Sequence, residues 1–195
     1  SGLAAVRDGS LDAVLALLGF VGDRSFLGWG ESVLARGRTT VNAGGLYRVS
    51  KEGQTTFLGD LSGLAEPGTT ARLGSKACFI GAFRGAATGT ELWCGASPAT
   101  IRLVKDILPG PGSGVTSRHI LGSTTRIYFG GVDQENGAEL WGSDGTASGT
   151  RLLFDIQPGA GSSAPEPLAI LGGYLYFVAS DGPSGRELWR LRVEP

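Results

Sequence analysis

The apolar residues of this chain fall in short runs, each closed off by a cluster of glycine and small polar residues. Between residues 117 and 156 the runs are "SRHIL", "RIYFGGV" (126–132), "AELWGS" (138–143) and "TRLLFDI" (150–156), separated by "GSTT", "DQENG" and "DGTASG". Runs of this length, rich in aromatic and β-branched residues and bounded by Asp, Asn and Gly, predict antiparallel strands joined by tight hairpins. Only Leu11 to Leu18 carries a trace of helical spacing. The pattern predicts an all-β chain.

The runs also repeat. "ELW" stands at Glu91-Leu92-Trp93, Glu139-Leu140-Trp141 and Glu187-Leu188-Trp189, at intervals of 48 and 48, with a decayed "GLY" at Gly45-Leu46-Tyr47. "CFIGAF" from 78, "IYFGGV" from 127 and "LYFVAS" from 175 precede the triplets. "RLVKDILPG" from Arg102 and "RLLFDIQPG" from Arg151 follow two of them, and "TFLGDLSG" from Thr56 follows the decayed one. Four strands per unit at this period describe a propeller blade. The units run over about 9–62, 63–110, 111–159 and 160–195. The fourth unit lacks its last strand, and "LAAVRD" (Leu3 to Asp8) resembles a spare one. The expectation is a single domain: a closed four-bladed β-propeller whose N-terminal strand completes the last blade and removes an open sheet edge. A piece of a larger propeller or solenoid is the rival arrangement.

At "ELWGSDGTASGTRLLFDIQPGAGSSAPEPLAILGGYLYFVASDGPSGRELW" the chain resembles the ELWxxDGT repeat of bacterial secreted and surface proteins. The likeness is close over 126–189, fair over 74–125 and poor before 74. "CGASPAT" and "RLRVEP" replace the Asp-Gly-Thr turn in the second and fourth units. The resemblance implies a secreted, periplasmic or cell-surface β-repeat protein, and it brings no catalytic residues with it.

Composition narrows the picture further. A formal charge of −1 gives no general pull toward nucleic acid. No apolar run approaches the ~20 residues of a membrane helix, so direct insertion is not expected. Glycine, at 34 of 195 residues, is distributed among the turns rather than in one tract. The chain has no methionine and starts at Ser1, as a mature or excised product would.

Residues that recur once per unit are expected to serve the fold. Glu91, Glu139 and Glu187 are read as carboxylates accepting backbone N–H groups from a nearby turn. Trp93, Trp141 and Trp189 are read as packing between blades. Asp60, Asp106 and Asp155, with Asp8 as a fourth, are read as caps where one blade passes to the next. Metal binding at these sites is not expected, because calcium needs six to eight oxygens around one point. "SDGTASG" lacks the alternating ligands of an EF-hand. No cofactor is expected, although inner-strand carbonyls could hold a cation such as calcium in the central channel. Cys78 and Cys94 sit on neighbouring strands of one hairpin, within reach of a cross-strand disulfide or as two buried thiols.

Two features break the repeat. His119 is the only histidine, and no nucleophile motif accompanies it. Between "RSFLGWG" (Arg24 to Gly30), taken as the second strand of unit one, and its third strand near Gly45 runs a hairpin about eight residues too long. It carries Trp29 at its base and Arg36 and Arg38 within it, a candidate binding loop. The expected function is a non-catalytic binding or assembly module with a protein partner. A carbohydrate-binding propeller using Trp29, Tyr174 and Tyr176 is the alternative. A hydrolase or lyase built on His119 and a carboxylate is the third reading.

Overall fold

The computed structural model describes residues 26–29, 32–37, 45–50, 54–60, 70–82, 87–96 and 100–193. Side-chain surroundings are described from residue 70 onward and at a few earlier positions. Every described strand is antiparallel to its neighbour, and consecutive strands pair in sequence order. Sheet I contains β1 (Phe26–Trp29), β2 (Ser32–Gly37), β3 (Gly45–Ser50) and β4 (Thr55–Asp60). Sheet II contains β5 (Thr70–Leu73), β6 (Lys76–Gly81), β7 (Glu91–Gly95) and β8 (Arg102–Lys105). In sheet III are β9 (Leu121–Gly122), β10 (Ile127–Asp133), β11 (Gly137–Ser143) and β12 (Arg151–Phe154). Sheet IV has only three described strands, β13 (Glu166–Leu171), β14 (Tyr174–Ser180) and β15 (Arg186–Arg192). The protein is all-β, and no helix among the described residues is long and apolar enough to cross a membrane.

The same irregularity recurs in three sheets. Register slips between Leu46 and Tyr47, Leu92 and Trp93, and Leu140 and Trp141, always between the leucine and the aromatic of the repeat triplet. A bulge there twists the outer strand away from the third. It also lets leucine and tryptophan serve different neighbours. Trp141 joins a core cluster with sheet II residues such as Leu92 and Ile107. Leu140 joins a second cluster with Leu175 and Phe177 of sheet IV. A strand with a sheet on either side needs apolar residues on both faces, so "IYFGG" and "ELWGS" are buried continuously instead of alternately.

Adjacent sheets meet through their first strands: β1 with β5 and β6, β5 with β9 and β10, and both β9 and β10 with β13. Among the described residues no contact of that extent joins sheet IV to sheet I. The closing strand expected at Leu3–Asp8, and Asp8 itself, lie outside the described residues.

Unit one differs from its sequence reading. "FLGW" is the first strand, not the second, and the chain turns at once into β2, with Trp29 opposite Ser32. β2 then pairs with β3 from Ser32↔Ser50 to Gly37↔Gly45. The apparent insertion is therefore an ordinary strand, and the remaining hairpin connection is 38–44. The apolar character of "SFLGW" made it look like the counterpart of "IYFGG", whereas the true counterpart, "SVLARG", carries a charge. In unit three the run "SRHIL" is a strand only at Leu121–Gly122, so His119 precedes it.

Candidate functional site

Two of the three triplet glutamates, Glu91 and Glu139, sit at the joints between sheets. Glu139, fully buried, accepts hydrogen bonds from Ile156 N (2.9 Å), Gln157 N (3.4 Å), Ser163 N (2.9 Å) and Ser163 Oγ (2.6 Å). These donors belong to the segment carrying the chain from sheet III to sheet IV. One unit earlier Glu91, also fully buried, accepts from Gly114 N (2.8 Å) and Ile107 N (3.3 Å), on the segment from sheet II to sheet III. Glycine is required at 114, because a Cβ there would lie 2.3 Å from the Glu91 carboxylate. Each carboxylate thus gathers N–H groups of the connecting segment, of which Ser163 N also reaches Ala138 O at 3.0 Å.

Burial pushes the Glu91 carboxyl up from 4.5 to about 7, assisted by the charge of Asp106 and opposed by the N–H groups of Ile107 and Gly114. The folded protein then holds a proton that the unfolded chain releases between those values. Stability should fall as pH rises from about 4.5 to 7, by on the order of 3 kcal/mol from this group. Urea midpoints across that range, compared with Glu91→Gln, check it. The variant should lose most of the slope, and an unchanged slope would assign the pH dependence elsewhere.

Of the repeated tryptophans, Trp93 and Trp189 bond across strands, while Trp141 Nε1 is buried without a partner. Trp93 Nε1 donates to Gly81 O at 2.9 Å and Trp189 Nε1 to Ala179 O at 3.2 Å, each crossing to the neighbouring strand. Lys105 Nζ lies 5.5 Å from the Trp141 ring centroid. Asp106 accepts from Gly110 N at 3.5 Å, while one oxygen each of Asp106 and Asp155 is buried without a partner. Asp60 ends β4. No group of acids, His and Cys among the described residues is arranged to hold a metal. The "DGT" turn is tied by its own side chains: Asp144 Oδ1 accepts from Thr146 N (2.9 Å) and Thr146 Oγ1 (2.6 Å). The Thr146 hydroxyl bond is the main reason the Asp144 carboxyl lies below its usual range. Gly145 sits at φ +82°, a left-handed turn position.

His119 is exposed, with Nδ1 3.7 Å from Glu166 Oε2. The pair the enzymatic reading requires is therefore present, but Ser117, the nearby hydroxyl, is committed to backbone. It donates to His119 O at 2.9 Å and accepts from Gly130 N at 2.9 Å. Glu166 also accepts from Arg118 N at 3.1 Å, clamping the sheet III to sheet IV junction. Trp29 and Arg36 lie on β1 and β2, and Arg38 lies outside the described residues. Cys78 and Cys94 are register partners on β6 and β7, bonded as a disulfide with Cα atoms 4.2 Å apart. Such bonds persist in oxidising, extracytoplasmic compartments.

Sheet IV breaks the pattern in a way the sequence does not show. Leu92 and Leu140 are fully buried, yet Leu188 is 66% exposed. Glu187 is likewise exposed and makes none of its counterparts' bonds among the described residues. Along β14, Leu175, Phe177 and Ala179 face sheet III, while Tyr174, Tyr176 and Val178 are only half-buried on the other side. Leu171, opposite Tyr174, is 70% exposed, and Arg190 lies 5.0 Å from the Tyr174 ring.

No protein-family model matches the chain, and no curated protein matches it. A solved structure does: TolB from Acinetobacter baumannii, a β-propeller protein, at a TM-score of 0.54 and 11% identity. The likeness is one of fold. It covers 84% of this chain but 38% of TolB, so the four sheets correspond to a minor part of that longer chain.

Proposed function

We propose that this chain is a non-catalytic assembly module of a secreted or cell-envelope protein, built from propeller blades and joined to a partner through the outer face of sheet IV. The observation that carries this is the exposure of Leu188 where Leu92 and Leu140 are sealed. The II–III and III–IV joints show what covers such a face: the side of the next blade bearing a paired Phe and Trp, as at Phe129↔Trp141 and Phe177↔Trp189. The outer face still needs a blade.

Its occupant in this proposal is sheet I of a second copy, where Tyr47 stands opposite Ala35 at the position of the tryptophans. Two four-blade arcs joined head to tail close into one ring, within the range of known propellers. A closed four-bladed monomer would instead bring sheet I of the same chain onto this face. The match to only a part of TolB, and the lack of an extensive contact between sheets IV and I among the described residues, support the arc. The resemblance to secreted repeats and the disulfide support the compartment.

Light scattering tests this. At tens of micromolar the mass should be twice that of one chain, and Leu188→Asp should weaken the dimer at least tenfold, since burying a leucine contributes about 1.5–3 kcal/mol. A monomer whose Leu188 amide is strongly protected from hydrogen exchange would mean ring closure within one chain and would overturn the assembly reading.

A further inference from the structure

The joint between sheets III and IV contains a cleft. Its volume is about 330 Å³, and its lining includes Arg126, Arg151, Arg192, Tyr128 and Leu153. Tyr128 packs toward sheet IV, and it stands opposite Gly142, which in turn stands opposite Arg151. Arg126, two residues before Tyr128, shares that side: its Cδ lies 3.1 Å from where a Gly142 Cβ would be. Arg126 and Leu153 therefore lie over Gly142, Arg151 lines the same cleft as its register partner, and Arg192 borders the cleft at the end of β15. One unit earlier the same positions are filled, with Cys94 in place of Gly142 and its disulfide partner Cys78 in place of Tyr128.

The charge in this cleft is poorly answered. No acid lines it. The Asp144 carboxylate, which feels the Arg126 charge, is engaged first by the Thr146 hydroxyl. Arg126 Nη1 is shut off from solvent without a hydrogen-bond acceptor. Like charges set side by side and a buried donor left unpaired are both unfavourable, and an anion relieves both. Guanidinium groups match the oxygens of carboxylate, phosphate and sulfate groups, and Leu153, Leu191 and Val193 add an apolar wall. We propose that this cleft binds the oxyanion group of a small organic ligand, a phosphate or sulfate ester or a carboxylate, with Arg126 and Arg151 as its direct contacts. The site is separate from the outer face of sheet IV, so dimerisation and anion binding can fail independently.

The test is an amide NMR titration of the whole chain at fixed ionic strength with inorganic phosphate, glucuronate and neutral glucose. Saturable shifts at Arg126, Tyr128, Arg151 and Val193 are expected with one or both anions and none with glucose. A phosphate-only response identifies an ester ligand, and a glucuronate-only response identifies a carboxylate. Arg151→Gln, at an exposed residue, should weaken binding at least tenfold without moving the thermal midpoint, and Arg126→Gln with Arg151→Gln should abolish it. Shifts no larger than chloride produces, or saturable binding that survives in Arg151→Gln, would overturn the site.

Discussion

Glu139→Ala is expected to destabilise the folded protein by about 3–5 kcal/mol, lowering the thermal midpoint by roughly 10 °C. The truncation strips the acceptor from three backbone N–H groups and one hydroxyl that reach the carboxylate at 2.6–3.4 Å. Those donors lie where the chain passes between sheets III and IV, and Glu139 itself is fully buried. Losing a buried acceptor costs more than the bond contributed, because the Ile156 and Gln157 N–H groups lose it outright, whereas Ser163 N keeps Ala138 O at 3.0 Å. The control is the same residue one unit on. Glu187→Ala removes an identical side chain from an exposed position and should change stability by no more than about 0.5 kcal/mol in the monomer. Urea unfolding of both variants decides the matter. Equal losses would mean that Glu187 has a joint of its own, and a loss under about 1 kcal/mol for Glu139→Ala would remove the carboxylate from the account of the fold.

That contrast also marks where sequence stops informing structure. The middle strands of unit three and the strands of unit four are legible almost to the residue, while "SRHIL" and "TRLLFDI" shrink to Leu121–Gly122 and Arg151–Phe154, because a period of 48 fixes the hairpins and each turn carries its own chemistry, as Asp144 and Thr146 show. Unit one was misread because its triplet has decayed, and the apolar "SFLGW" imitates a second strand better than the true one, Ser32–Gly37, does. Burial was not readable at all at Leu188. "ELW" is the same three letters in three units, but whether its leucine is sealed depends on what stands beyond the sheet. The arginine cleft was hidden for a related reason. It accompanies one exchange, Gly142 for a cysteine, and is visible only once the fold brings Arg126 over that glycine and pairs Arg151 with it in register.

Reduction of the Cys78–Cys94 disulfide is expected to cost about 3 kcal/mol, the loop-closure value for a bridge spanning about 15 residues; here the separation is 16. Its placement explains why this hairpin has one. The connection between β6 and β7 runs over residues 82–90, against 134–136 and 181–185 for the equivalent hairpins of sheets III and IV. A longer connection loses more entropy on ordering, and a cross-link lowers that loss by restricting the unfolded chain. Both sulfurs also belong to the core between sheets II and III, Cys78 fully buried and Cys94 6% exposed. Reduction in place should therefore leave packing nearly intact and act mainly through the unfolded state. Urea midpoints with and without a phosphine reductant, alongside Cys78→Ala with Cys94→Ala, separate the two contributions. The reduced protein should lose about 3 kcal/mol. The double alanine variant should lose somewhat more, because it also removes two buried sulfur atoms. Identical midpoints for oxidised and reduced protein would show that the hairpin is held by its sheet alone. The bond would then carry no stability argument for an oxidising compartment.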